Sequence, residues 1–265
     1  MTPPIDQAIN CLANFCGERS ISSLTKEALQ ADYALTKVDV LVLFGGSIVS
    51  GVDLLAQAMQ QNLARNYVIV GGYGHTSATL FEQAERLYPG STQGKSTEAD
   101  LFAGLLKAKY GLVPTFLETQ STNCGNNIAH LLALLLKEKI PIDSLLLIQD
   151  ATMERRMALT LKKQLQQPAV IINFASYQVT VTQKNGVLTY QEPITGMWEM
   201  QRYISLLLGE IPRIRDDEQG YGPKGKNYLV HTDLPDEVED AFLTLSREYP
   251  ALIRQANEDF ASPAN

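Results

Sequence analysis

VDVLVLFGGS, residues 38–47, is an apolar run interrupted once by Asp39 that stops abruptly in two glycines and a serine. Three further stretches repeat the arrangement: YVIVGGYGH (67–75), TFLETQSTN (115–123) and SLLLIQDATMERR (144–156). A near-continuous apolar run of this length is the pattern of a strand buried on both faces, which is the rule in parallel sheets. Each run delivers a polar or glycine-rich loop at its carboxyl end, where ligands bind in open parallel sheets. Four such loops on one sheet converge on one crevice.

Working outward, each strand is followed by a helical pattern. Val38–Phe44 leads to Leu54, Leu55, Ala58, Met59 and Leu63; Tyr67–Val70 leads to a helix over Ala78–Tyr88 that Pro89 and Gly90 stop. Ser96 or Thr97 caps a helix running to Tyr110, with Glu98 and Asp100 in its first turn, where the helix dipole favours negative charge. Thr115–Glu118 precedes a helix over Ile128–Lys139, Leu145–Ile148 precedes one over Met153–Leu165, and Ala169–Phe174 closes the series. Alternation of this kind predicts a Rossmann-like, doubly wound α/β fold with a mainly parallel sheet and right-handed crossovers. We expect a helical N-terminal cap over residues 1–35, the α/β domain over 36–210, and a C-terminal loop and helix over 211–265 packed on it. Asn185-Gly186 between Tyr177–Thr182 and Val187–Tyr190 marks a β-hairpin with a type I′ turn. A helix over Met197–Leu208 follows. The glycine-rich, charged stretch RIRDDEQGYGPKGKNYLVHTDLP (213–235) reads as a long ordered loop reaching across the domain, with Tyr221, Tyr228 and Leu229 to anchor it; an amphipathic helix from Asp236 to about Arg254 ends the pattern.

The chain has 265 residues, 45% of them apolar, and a net charge of −7. An acidic balance excludes a surface built to neutralise many phosphates of DNA or RNA, so the expected partner is a small molecule and not nucleic acid. Cys11, Cys16 and Cys124 are odd in number and lack CxxC spacing, which fits buried thiols in a reducing compartment. MTPPIDQAINCLANF has neither the basic nor the apolar region of a leader, and LLALLL is too short to span a bilayer. A cytoplasmic location without a membrane span is expected; no feature assigns an oligomeric state.

Several residues stand where chemistry is possible. Gly45, Gly46 and Ser47 end the first strand, and Gly72, Gly74 and His75 lie in the loop after the second; such turns let backbone N–H groups approach an anion, although they serve equally as tight connections. His75, His130 and His231 are too far apart in sequence for a metal-ligand motif, while Glu98, Glu118 and Asp150 are carboxylates that can hold magnesium through its waters. Ser121, Thr122 and Asn123 can cap the following helix, and Asn126 and Asn127 add amides that can read a polar ligand edge. Asp150 either caps the next helix or acts as a base or hydroxyl acceptor. Glu98, Asp150 and His75 are the candidates for acid–base work. Of Arg155 and Arg156, at least one is expected to turn into the crevice as an anion clamp, with Arg156 the candidate.

Taken together, LFGGS, GGYGHT, STEAD, ETQSTNCGNN, QDATMERR and GEIPRIRDDEQGYGPKG resemble the bacterial YdcF-like proteins of the family called domain of unknown function 218, over roughly residues 35–235. The resemblance implies a Rossmann-like domain with an affinity for S-adenosylmethionine or a similar nucleotide-like ligand, and no established reaction. It places the family's recurring residues on Gly45, Gly46, Gly72, Glu98, Glu118, Ser121, Asn123, Asn127, Asp150 and Arg156. Two positions depart from it: Met153 where relatives carry a histidine, and Asn126 where they carry a glutamate.

Three functions are open on this basis. The first is binding of S-adenosylmethionine or another adenine-containing ligand, against which stands the absence of GxGxG after the first strand and of an acidic residue ending the second. The second is a hydrolase or transferase acting on a phosphorylated metabolite or lipid-carrier headgroup, with or without magnesium. The third is a non-catalytic sensor whose charged tail folds over its ligand.

Overall fold

The structure is a computed structural model and describes residues 3–74 and 76–253. Five strands form one all-parallel sheet in the order β3-β2-β1-β4-β5: β1 (Val38–Phe44), β2 (Ala64–Val70), β3 (Phe116–Glu118), β4 (Ser144–Gln149) and β5 (Val170–Ala175). The helices are α1 (Ile5–Cys16), α2 (Lys26–Tyr33), α3 (Gly51–Gln60), α4 (Ser77–Leu87), α5 (Glu98–Tyr110), α6 (Cys124–Lys137), α7 (Glu154–Gln164), α8 (Met200–Ile214) and α9 (Asp236–Glu248).

Strand side chains alternate between two cores, as the two-residue period demands. Leu41, Leu43, Ile69, Leu146 and Ile148 pack with Leu55, Leu80, Phe102 and Leu105 of α3, α4 and α5 on one face. Val40, Val42, Phe44, Val68, Leu145 and Leu147 pack with Ile128, Leu131, Met157 and Leu161 of α6 and α7 on the other. Helices on both faces make the domain doubly wound and Rossmann-like. The chain leaves β1 in one direction through β2 and β3 and in the other through β4 and β5, so the loops after β1 and β4 diverge to opposite faces. Between them lies the switch point at which such folds bind ligands.

A third core joins the two ends of the chain. Ile9 and Leu12 of α1 pack with Trp198, Tyr203 and Leu207, and with Val238 and Leu245 of α9. The N-terminal helix is therefore part of a shared layer with α8, α9 and the hairpin, while Leu24 and Leu29 belong to the core under α3 and α5. The hairpin is β6 (Val181–Lys184) with β7 (Val187–Tyr190), and Asn185 and Gly186 have φ of 51° and 79°, as a type I′ turn requires. The stretch 213–235 is ordered against α7 and α9: Leu229 is buried, Lys163 Nζ donates to Asn227 Oδ1 at 2.7 Å, and Arg215 pairs with Glu239. α8 continues to Ile214 through Pro212, six residues past the expected end, and α9 stops at Glu248 before a short 3-10 turn at Pro250–Leu252. Arg254, the expected end of that last helix, lies outside the described residues. Among the described residues no helix is long and apolar enough to cross a membrane.

Candidate functional site

All four strand-end loops meet in one narrow cleft at the carboxyl edge of the sheet. Its walls are Gly45 and Gly46 after β1, Gly74 and Thr76 after β2, Ser121, Thr122, Asn123, Cys124 and Asn127 around the start of α6, and Gln149 and Met153 after β4, with Glu98 among them. The cleft measures about 40 Å³, room for about three water molecules or one group of phosphoryl size. A larger, shallow hollow of about 450 Å³ lies at the other end of the sheet between the end of α7 and the start of β5, with Lys162 its only ionisable side chain; it brings no constellation of reactive groups together.

Glu98 is held from several sides. Its backbone N–H donates to Gly72 O at 2.9 Å and that of Ala99 to Gly71 O at 2.9 Å, so the first turn of α5 rests on the β2 loop. Thr97 caps the helix by accepting from Asp100 N. The carboxyl points inward, where Ser77 Oγ donates to Oε1 at 2.6 Å, and Gly74 N donates to the same hydroxyl at 2.7 Å. Burial pushes the carboxyl up to about 7, against the opposing pull of the Ser77 hydroxyl and the Gly46 amide. Glycine is required on both sides of this contact: a Cβ on Gly45 would collide with Glu98 Oε2, and Gly46 has φ of +73°. The sequence signal for a site, two glycines after a strand, thus reflects the close approach of a carboxyl group.

The start of α6 forms the opposite wall. Asn123 is its N-cap, its Oδ1 accepting from Asn126 N at 3.0 Å and its backbone O from Asn127 N at 2.8 Å, so the amides of Cys124 and Gly125 are those that precede the first intrahelical bond. Ser121 Oγ accepts from Gly72 N at 3.3 Å, which ties this loop to the β2 loop. Burial raises the Cys124 thiol above its ordinary value, so it is not an activated nucleophile. Gln149, the last residue of β4, is 0% exposed; its Oε1 accepts from Asp150 N at 2.6 Å and its Nε2 has no hydrogen-bond partner.

Of the residues singled out from sequence, the cleft collects Gly45, Gly46, Gly74, Glu98, Ser121, Thr122, Asn123 and Asn127. Others are placed elsewhere. Ser47 is buried against Ser176 at 3.0 Å, Gly72 packs behind the wall against the backbone of residues 119–121, and Asn126 lies in the first turn of α6. Glu118 uses Oε1 to accept from Gln120 N and Ser121 N, shaping its own loop. Asp150 is wholly buried beneath the hairpin layer: Thr152 and Tyr177 donate to Oδ1 and Trp198 Nε1 to Oδ2, all within 3.0 Å. It is a structural junction, because its side chain turns back into the protein where the strand ends. Neither arginine is a free clamp. Arg156 binds Glu210 through two hydrogen bonds, and Arg155 donates to Phe15 O at 2.5 Å while lying over the Phe15 ring. His75 lies outside the described residues.

Thr76, Cys124, Gln149 and Met153 are cleft residues that the motifs did not single out as ligand contacts. Met153, noted as a departure from relatives, does face the cleft, its methyl 3.3 Å from where a Gly46 Cβ would stand. Among the described residues no group of three or more His, Cys, Asp or Glu is arranged to hold a metal ion. A ligand the size of S-adenosylmethionine needs a pocket of about 300 Å³ or more, well beyond the cleft as folded. No family model matches the chain.

Proposed function

We propose that the protein is a hydrolase or transferase that acts on the phosphorylated end of a metabolite or lipid-carrier headgroup, bound in the cleft at the switch point of the sheet. The observation that carries this reading is Glu98, a buried carboxyl poised near 7 at a cleft of phosphoryl size. A group that gains and loses its proton near neutrality suits both halves of such a reaction. In its protonated form Glu98 donates to the departing oxygen; in its ionised form it takes the proton of an attacking water or acceptor hydroxyl. The backbone amides of Cys124 and Gly125, which precede the first intrahelical bond of α6, are hydrogen-bond donors of fixed direction, which serve where charge develops without having to reorganise, whereas those of Gly45 and Gly46 are engaged with Val70 O and the Glu98 carboxyl.

Membership of the YdcF-like family is part of this proposal and rests on the motifs quoted above. A second reading, binding of S-adenosylmethionine or a related nucleotide, is favoured by one feature, the position of the cleft between the β1 and β4 loops. It requires Gly74 and Thr76 to part from residues 121–127. The deciding experiment is release of phosphate from a panel of phosphomonoesters and prenyl phosphates by the purified protein and by Glu98→Gln, alongside calorimetry with S-adenosylmethionine. Turnover lost in the variant supports the first reading; binding of S-adenosylmethionine without turnover of any phosphate ester replaces it with the second.

A further inference from the structure

Gln149 stands out among the cleft residues. Its amide is oriented without ambiguity, because Oε1 accepts from Asp150 N at 2.6 Å and the reversed amide would set two donors against each other. The backbone it grips is itself anchored, since Asp150 is held by Thr152, Tyr177 and Trp198, all buried. The side chain is thus locked in the wall of the cleft, with Nε2 buried and with no acceptor. Buried amide nitrogens are nearly always paired in folded proteins, and exceptions cluster where a ligand completes the pairing. Glu98 is the only carboxyl among the described lining residues; the cation nearest to them, Arg156 behind Cys124, is paired with Glu210.

We propose that Gln149 contacts the substrate directly, its Nε2 donating to a non-bridging oxygen of the phosphoryl group, and that the cleft recognises this group through neutral donors in place of a cationic clamp. The inference rests on the phosphorylated-substrate reading above. Three kinds of donor converge on the one small space: the Gln149 amide, the backbone amides of Cys124 and Gly125 that precede the first intrahelical bond of α6, and the Glu98 carboxyl in its protonated form. Neutral recognition makes two features of binding follow. Affinity depends weakly on salt, because Arg156 behind Cys124 is neutralised by Glu210 and leaves little net attraction to be screened. Affinity also rises as Glu98 takes up its proton, because the ionised carboxylate repels the anion it faces.

The test is calorimetric titration with inorganic phosphate at pH 6 and pH 8, at low and high salt, on the wild type, Gln149→Met and Gln149→Glu. Gln149→Glu keeps the acceptor for the Asp150 amide, so it holds the loop if Gln149→Met folds poorly, and it replaces the donor by a group that repels the anion. The expected result is binding by the wild type, tighter at pH 6 and little changed by salt, with a loss of about tenfold or more in the variants at pH 8 and native circular dichroism in both, Gln149→Glu melting lower at pH 8 because its carboxyl is buried. Equal phosphate affinity in wild type and both variants overturns the role of Gln149 and leaves the phosphorylated-substrate reading standing. No binding of phosphate by the wild type at either pH overturns that reading and the inference with it.

Discussion

Arg156 and Glu210 are joined by a two-pronged ion pair that ties α7 to α8, with side chains only 11% and 3% exposed. The arginine that looks like an anion clamp in sequence is spent on holding two helices together beside Cys124. Removing one partner from a buried pair strands a charge, at a cost of about 3–5 kcal/mol. Arg156→Ala and Glu210→Ala are each expected to lose stability of that order in urea denaturation, and the double replacement by Met and Leu to recover most of it. Full stability of Arg156→Ala combined with lost phosphate binding would return the arginine to the site.

Glu98 holds its proton to about 7 in the folded chain, against an ordinary value of 4.5. The folded state therefore binds more protons between these values, so stability falls as pH rises from about 4.5 and the whole penalty, about 3 kcal/mol, is present above 7. Glu98→Gln is expected to be more stable than wild type at pH 8 by up to that amount, to match it near pH 4.5, and to lose turnover. Denaturation curves at the two pH values, read against the activity, check this trade of stability for function.

Asp150 gathers the hairpin layer onto the sheet through Tyr177 and Trp198. Asp150→Ala leaves those two donors and Thr152 without an acceptor, and we expect a loss of roughly 3 kcal/mol or more. Trp198 is the only tryptophan in the chain, so its fluorescence reports directly on this junction. Asp150→Ala should show a shifted emission and faster proteolysis near 185–186. An unchanged spectrum and unchanged stability would mean that the carboxylate is dispensable to the fold and free for other work.

Glu154 is fully buried at the start of α7, and neither carboxyl oxygen has a hydrogen bond of good geometry. Burial drives its ionisation well above the ordinary range, with Glu18 adding to the effect. Like Glu98, it withholds stability as pH rises above about 4.5. Glu154→Gln is expected to raise the melting temperature at pH 8 and to leave phosphate binding intact, which separates it from Glu98→Gln. A lower melting temperature would show that the charged form has a partner in solution.

Most of the fold was legible because strand and helix periods are local. β1 stands where the apolar run places it, and Thr97 caps α5 as its spacing with Glu98 and Asp100 indicates. β2 starts three residues earlier than its apolar run, since Arg65 and Asn66 disguise strand backbone with polar side chains. α6 starts four residues early because Gly125, Asn126 and Asn127, loop formers in isolation, follow a well-formed Asn123 cap. The site was legible at the level of loops and less so at the level of side chains. Asp150 drew attention as the charged residue past a strand, yet the strand's last residue, Gln149, reaches the cleft. Glu210 lies 54 positions from Arg156, and no local pattern announces so distant a partner.

The space that a Cβ on Gly45 would need is already taken by the Glu98 carboxyl. The two positions are therefore bound by sign epistasis. In a chain that keeps Glu98, Gly45→Ala is harmful; once position 98 is shortened to alanine only its Cβ, 3.0 Å away, still crowds the new methyl, the same change costs far less, and reverting position 98 alone then becomes the harmful step. An evolving lineage that gives up the carboxyl can fill the space behind it and so lose the way back, whereas one that retains it must retain a bare backbone at position 45 for as long as it does.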